Sequence, residues 1–218
     1  YMTAEDYQRA VDIEKVEGST VIAGRELTQG EVAALMGVCE SDATISGVKD
    51  AAIIALMVSW GLRREEVVKI SLSDYDPETG NMLIHGKRRR ERWIYLDNGA
   101  LDAVNDWLSI RGNDGDPLFC AINKSGVLNT TRHMQPQTIF DMLEKRRTEA
   151  GVKPFSPHDL RRTFISNLLD AGVDISTVAR MAGHSNVNTT ARYDRRPETA
   201  KRKAASLIHV PYTKRTGK

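Results

Sequence analysis

Apolar positions recur at helical spacing through most of the chain, and the compact part of the pattern begins near Leu27. Residues 1–24 are polar and acidic, with Gly18 and Gly24 near their end, and predict a linker or the remnant of a preceding domain. Residues 31–39 carry a helical stripe, and residues 48–60 (VKDAAIIALMVSW) are apolar almost all round, which predicts a buried helix at the centre of the core. Gly61 interrupts it. Residues 63–68 resume the helical pattern, so an arginine follows directly on a buried turn. The period then changes: residues 81–85 and 93–96 are short β-prone runs flanking residues 86–92, a hairpin with a strongly basic tip. Helical spacing returns over residues 98–111, 135–150, 157–171, 174–182, a short stretch 188–193, and 197–208. The pattern predicts an α+β fold, mostly α, with one small antiparallel β-sheet.

Composition narrows the class. No stretch approaches the roughly 18 unbroken apolar residues of a membrane span, and the N-terminus lacks the basic-then-apolar order of a signal peptide. The expectation is a protein without membrane attachment, working in the cytoplasm. Cys39 and Cys120 lack CxxC or Cys/His ligand spacing and predict buried thiols, with no metal site. The chain begins with Tyr1, which suggests that an N-terminal part has been removed.

Net charge is +2 over the 218 residues. Residues 1–50 carry ten acids and four bases, a net of −6, which leaves +8 for residues 51–218. The bases cluster in Lys87-Arg88-Arg89-Arg90-Glu91-Arg92, Arg195-Arg196, Lys201-Arg202-Lys203 and Lys214-Arg215. Such clusters suit a polyanion, whose condensed counterions are released as phosphates are neutralised. A solvated surface would show the same clusters, so motifs must decide.

In Ser156-Pro157-His158-Asp159-Leu160-Arg161-Arg162-Thr163-Phe164, serine takes the helix cap, proline the first helical position, and Asp159 the capping-box position. His158 and Arg161 then share one face at a helix N-terminus, where free N–H groups and the dipole favour an anion. Gly183-His184-Ser185 and Thr189-Thr190-Ala191-Arg192-Tyr193 follow. Upstream lie Gly61-Leu62-Arg63 with Glu66, and Gly86-Lys87 with Glu91-Arg92.

These boxes, in this order, resemble the catalytic domain of the tyrosine recombinase (phage integrase) family over about residues 27–205. The resemblance implies that Tyr193 is a nucleophile forming a 3′-phosphotyrosine link with double-stranded DNA, without cofactor, metal or ATP. Two guanidinium forks suit the charge that develops on the non-bridging phosphate oxygens, and Arg63 and Arg161 fit that role. By resemblance Lys87 protonates the departing 5′ oxygen, His158 assists proton transfer, and His184 donates a hydrogen bond to the phosphate. Arg88, Arg89, Arg90, Arg92 and Arg162 are candidate DNA contacts; His85, His133 and His209 lack the family context and read as structural. The chain departs from the family at Arg88-Arg89-Arg90, where glycine and a second lysine are common, and has Asp194 after the tyrosine.

The implied domain covers residues 25–210, with a basic tail at 211–218. The amphipathic stretch 197–208 fits a helix that docks on a neighbouring subunit, as in the family's homo-tetramers on paired DNA sites. Two other functions fit the same boxes: a type IB topoisomerase-like nicking and closing enzyme, and a DNA-binding regulator with this fold. The presence of every reactive residue type disfavours the second.

Overall fold

A computed structural model of the chain describes residues 24–87, 90–123, 125–194, 202, 205–209 and 211–212. Among the described residues, Arg25 is already packed, two residues before the apolar pattern begins. Its backbone N–H donates to Asp159 Oδ1 at 2.9 Å, and the Leu27 N–H donates to Thr163 Oγ1 at 2.8 Å. Helix α1 (Gln29–Ser41) opens on a reciprocal cap: Glu31 N–H donates to Thr28 Oγ1 while the Glu31 carboxylate accepts from Thr28 N–H.

Helix α2 (Ile45–Trp60) is the centre of the core, as its unbroken apolar run requires, with Ala52, Ile53, Ile54, Leu56 and Met57 fully buried. It ends at Gly61, whose φ of +59° is left-handed; a Cβ there would lie 2.6 Å from the Phe164 ring. The short α3 (Arg64–Val67) and a 3-10 turn (Leu72–Asp74) lead into an antiparallel sheet of order β1 (Tyr75–Asp76), β2 (Asn81–His85) and β3 (Glu91–Tyr95). Met82, Ile84 and Ile94 face the core, while Trp93 and Tyr95 point outward. Among the described residues the helices that follow include α4 (Asn98–Arg111), α5 (Pro136–Glu149), α6 (Pro157–Asp170), α7 (Ile175–Ala182) and α8 (Val187–Ala191). Buried Arg146 of α5 fixes the α1–α2 junction, donating to Asp42 at 2.6 Å and to Asp50 at 2.9 Å.

The α+β, mostly α architecture is as the pattern predicts, with three differences. A second sheet exists, formed by β4 (Cys120–Ile122) against β5 (Leu128–His133). The sequence hides it because LNTTRH is polar and largely exposed, leaving no apolar alternation to detect. The hairpin strand begins at Glu91 and not at residue 93, so Arg92 belongs to β3 and the tip is residues 86–90. Helix α8 ends at Ala191, so Tyr193 lies beyond it in the following turn. Of the stretch 197–208, most lies outside the described residues; Leu207 and Ile208 are described and exposed. Cys39 and Cys120 are buried and unbridged, and burial pushes the Cys39 thiol up to about 12. Among the described residues no helix is long and apolar enough to cross a membrane.

Candidate active site

Arg63 caps α3, directly after the left-handed Gly61 and the buried Leu62. Glu66, one turn on, reaches back: its carboxylate accepts from Arg63 N–H at 3.0 Å and from Arg63 Nη1 at 3.0 Å. Arg92 of β3 grips the same carboxylate with both prongs, each at 3.1 Å, and its Nε donates to Met181 O at 3.1 Å. Burial raises the Glu66 pKa, but the Arg92 hydrogen bond and the charges of Arg92 and Arg63 outweigh it, so the net shift is downward. A buried carboxylate thus stays ionised between two arginines.

Arg161 projects from α6 into the interior and is 5% exposed. Its guanidinium donates to Gly61 O at 2.7 Å and to Ala182 O, the carbonyls where α2 and α7 end. Burial first, then the Arg63 charge, pushes its pKa down to about 9; Arg92 adds to this, and Glu66 and Tyr193 oppose it. It is still a cation at neutral pH, held where an anion is favoured. His184 follows Gly183, the left-handed cap of α7, and its Nδ1 lies 2.7 Å from the hydroxyl of buried Thr190. Burial and the charges of Arg161, Arg63 and Arg92 push its pKa down to about 4, so the imidazole is neutral at pH 7.

Tyr193 is partly buried against the cluster of Phe164, Ile165 and Val178, and the Arg162 guanidinium stacks over its ring at 5.5 Å. The Tyr193 backbone N–H donates to Thr190 O at 2.9 Å, in the turn that also carries the partner of His184. Arg162 is buried, with its guanidinium turned to the Tyr193 ring. His158 sits exposed in the first turn of α6, one turn before Arg161. The capping box is formed, with Asp159 Oδ2 accepting from Ser156 N–H at 2.8 Å and from Ser156 Oγ at 2.9 Å.

A cleft of about 960 Å³ brings Arg63, Lys87 and His184 together with Arg90 and Arg92. Arg161 lies behind its wall; His158 and Tyr193 are not among the lining residues. Arg88 and Arg89 lie outside the described residues. Three further features escaped the sequence. Thr190 touches His184 across a turn, a pairing with no periodic signal. Lys69 and Arg180 line the cleft, Arg180 from the last turn of α7. His85 also lines it, held by Asp74 at 2.9 Å and Glu91 at 3.2 Å. His133 is structural as expected, bonded to Val68 O at 2.7 Å.

Comparison with known proteins identifies the family. The model of the phage integrase family matches residues 25–199. A tyrosine recombinase XerC of Leptospira interrogans is 31% identical over 157 residues, covering 71% of this chain and 49% of that protein. XerA of Pyrococcus furiosus is 28% identical over 172 residues, covering 78% and 57%. The chain thus spans about half the length of the curated relatives it matches. Among solved structures, XerA recombinase superposes with a TM-score of 0.66 at 24% identity, covering 86% of this chain and 66% of that one. XerH bound to its palindromic difH substrate in a post-cleavage complex superposes with 0.67 at 22%, covering 84% and 53%. These two likenesses show the fold. Since the family model covers residues 25–199, most of the chain, the chain belongs to the phage integrase family.

Proposed function

We propose that the chain is the catalytic domain, residues 25–210, of a site-specific recombinase that cuts and rejoins double-stranded DNA through a 3′-phosphotyrosine link. The observation that carries this is Arg161, a buried cation beside Arg63 and a neutral His184, with the Tyr193 phenol near it. A phosphate placed there relieves the repulsion among the cations, and its negative charge grows toward the transition state.

In the reaction the Tyr193 oxygen attacks phosphorus, the bond to the 5′ oxygen breaks, and the phenol proton leaves with assistance from His158. Arg63 and Arg161 hold the non-bridging oxygens, and Lys87 protonates the departing 5′ oxygen. With Nδ1 beside Thr190, His184 has Nε2 left to meet the phosphate. The phosphotyrosine ester retains the energy of the broken bond, so a 5′ hydroxyl reverses the step. The basic hairpin tip binds flanking phosphates. Stretch 197–208 joins subunits into a homo-tetramer on paired sites in the cytoplasm; the exposed Leu207 and Ile208 fit that role.

The test is covalent trapping on nicked duplexes of randomised sequence, followed by recovery of detergent-resistant adducts. The parent is expected to enrich one site, in the presence of EDTA as in its absence, and Tyr193→Phe to give no adduct. Adducts from Tyr193→Phe overturn the reading; adducts spread evenly over all sequences, with relaxation of any plasmid, replace it with the topoisomerase-like one.

A further inference from the structure

Arg92 belongs to the basic run that marks the hairpin as a DNA contact, yet the pleat turns it the other way. It pairs with Ile84 across the sheet and shares the inward face of β3 with buried Ile94. Its side chain is 15% exposed and that of Glu66 5%. The two prongs hold Glu66, Nε holds Met181 O, and the guanidinium lies so close to Gly183 that a Cβ there would sit 2.9 Å from Nη1. One side chain therefore joins three segments: the hairpin that carries Lys87, the α3 cap that carries Arg63, and the turn that carries His184.

We infer that Arg92 is a positioning residue for strand cleavage and not a DNA contact: it sets Arg63 through their shared carboxylate, Glu66, and holds the Lys87 hairpin against the His184 turn. This rests on the recombinase reading. The planar fork is essential to it, because three bonds in fixed directions are beyond the point charge of lysine. Displacements of about 1 Å at reacting groups cost on the order of 10²-fold in rate.

Three measurements on the 218-residue chain decide the matter. Binding of Arg92→Gln to a random-sequence 30-bp duplex is expected to keep the parent's dependence of log affinity on log salt. A lost phosphate contact would flatten that slope by about 0.9 and overturn the inference. On the duplex recovered by covalent trapping, Arg92→Lys should cleave about 10²-fold more slowly in single turnover, normalised to DNA-binding-competent protein. The double variant with Glu66→Gln should be no slower than the worse single one, since both act through one carboxylate. An unchanged normalised rate, or fully additive losses, refutes positioning. Hydrogen exchange in residues 86–91 and 183–185 should quicken together in Arg92→Lys, and exchange unchanged in either segment also refutes it. Should the parent cleave no duplex, the recombinase reading falls, while slope and exchange still decide what Arg92 does. If Arg92→Gln does not fold, the cleavage rate and hydrogen exchange of Arg92→Lys, which keeps the buried charge, still decide.

Discussion

Lowering the pH should destabilise this domain through His184 in a way that reports on its burial and on the cation cluster around it. In the unfolded chain the imidazole titrates near 6.5; in the fold, burial and Arg161, Arg63 and Arg92 hold it down at about 4. The native state therefore binds fewer protons between these values, so its stability is complete above pH 6.5 and is lost as pH falls toward 4. The full difference corresponds to about 3 kcal/mol, of which about 2 kcal/mol is gone at pH 5. Other groups titrate in the same range. The hydrogen bond from His85 to Asp74, aided by Glu91, raises the His85 pKa, so its contribution is present below the unfolded pKa and is lost as pH rises. Subtraction isolates His184: urea denaturation of the parent and of His184→Gln at pH 7.5 and pH 5.0, the glutamine keeping a polar partner for Thr190. The parent should lose about 2 kcal/mol more than the variant over this interval. Equal losses would show that neither burial nor the neighbouring cations depress His184, and this account of the site would be refuted.

Other perturbations separate scaffold from chemistry. Arg146→Met leaves buried Asp50 and half-buried Asp42 without this cation and should cost about 3 kcal/mol, lowering the thermal midpoint by roughly 2–4 °C for each kcal/mol. Gly61→Ala forces a left-handed alanine and a Cβ 2.6 Å from Phe164, displacing the carbonyl that holds Arg161; calorimetry should show a loss of about 1–3 kcal/mol. Lys87→Ala should recover cleavage on a substrate whose bridging 5′ oxygen is sulfur, which leaves without protonation, whereas Arg161→Ala should not. Equal behaviour of these two variants in single turnover would refute the division of labour between acid and charge stabiliser.

What the sequence revealed follows how local each signal is. The capping box at Ser156 and Asp159, the helix at 98–111 and the stop at Gly61 rest on contacts within a few residues, and each is found as predicted. The convergence of Arg63, Arg161 and His184 needs three helix ends to meet, which no spacing along the chain encodes; family resemblance supplied it. Arg92 is the instructive case. Charge composition assigns it to the DNA surface, whereas alternation along β3 with Ile94 puts it on the inward face of the strand, where its guanidinium holds Glu66. Arg162 was obscured differently, because a helix packed on more than one side buries polar residues that a single-face pattern leaves outside. The second sheet and the Thr190–His184 contact have no apolar periodicity and were invisible for that reason.

Mass spectrometry of the protease-digested covalent adduct, formed on the trapped duplex, tests the central claim most directly. The account predicts a 3′-phosphorylated nucleotide on the peptide that contains Tyr193 and on no other peptide. A nucleotide attached at any other residue, or through a 5′ phosphate, would contradict it.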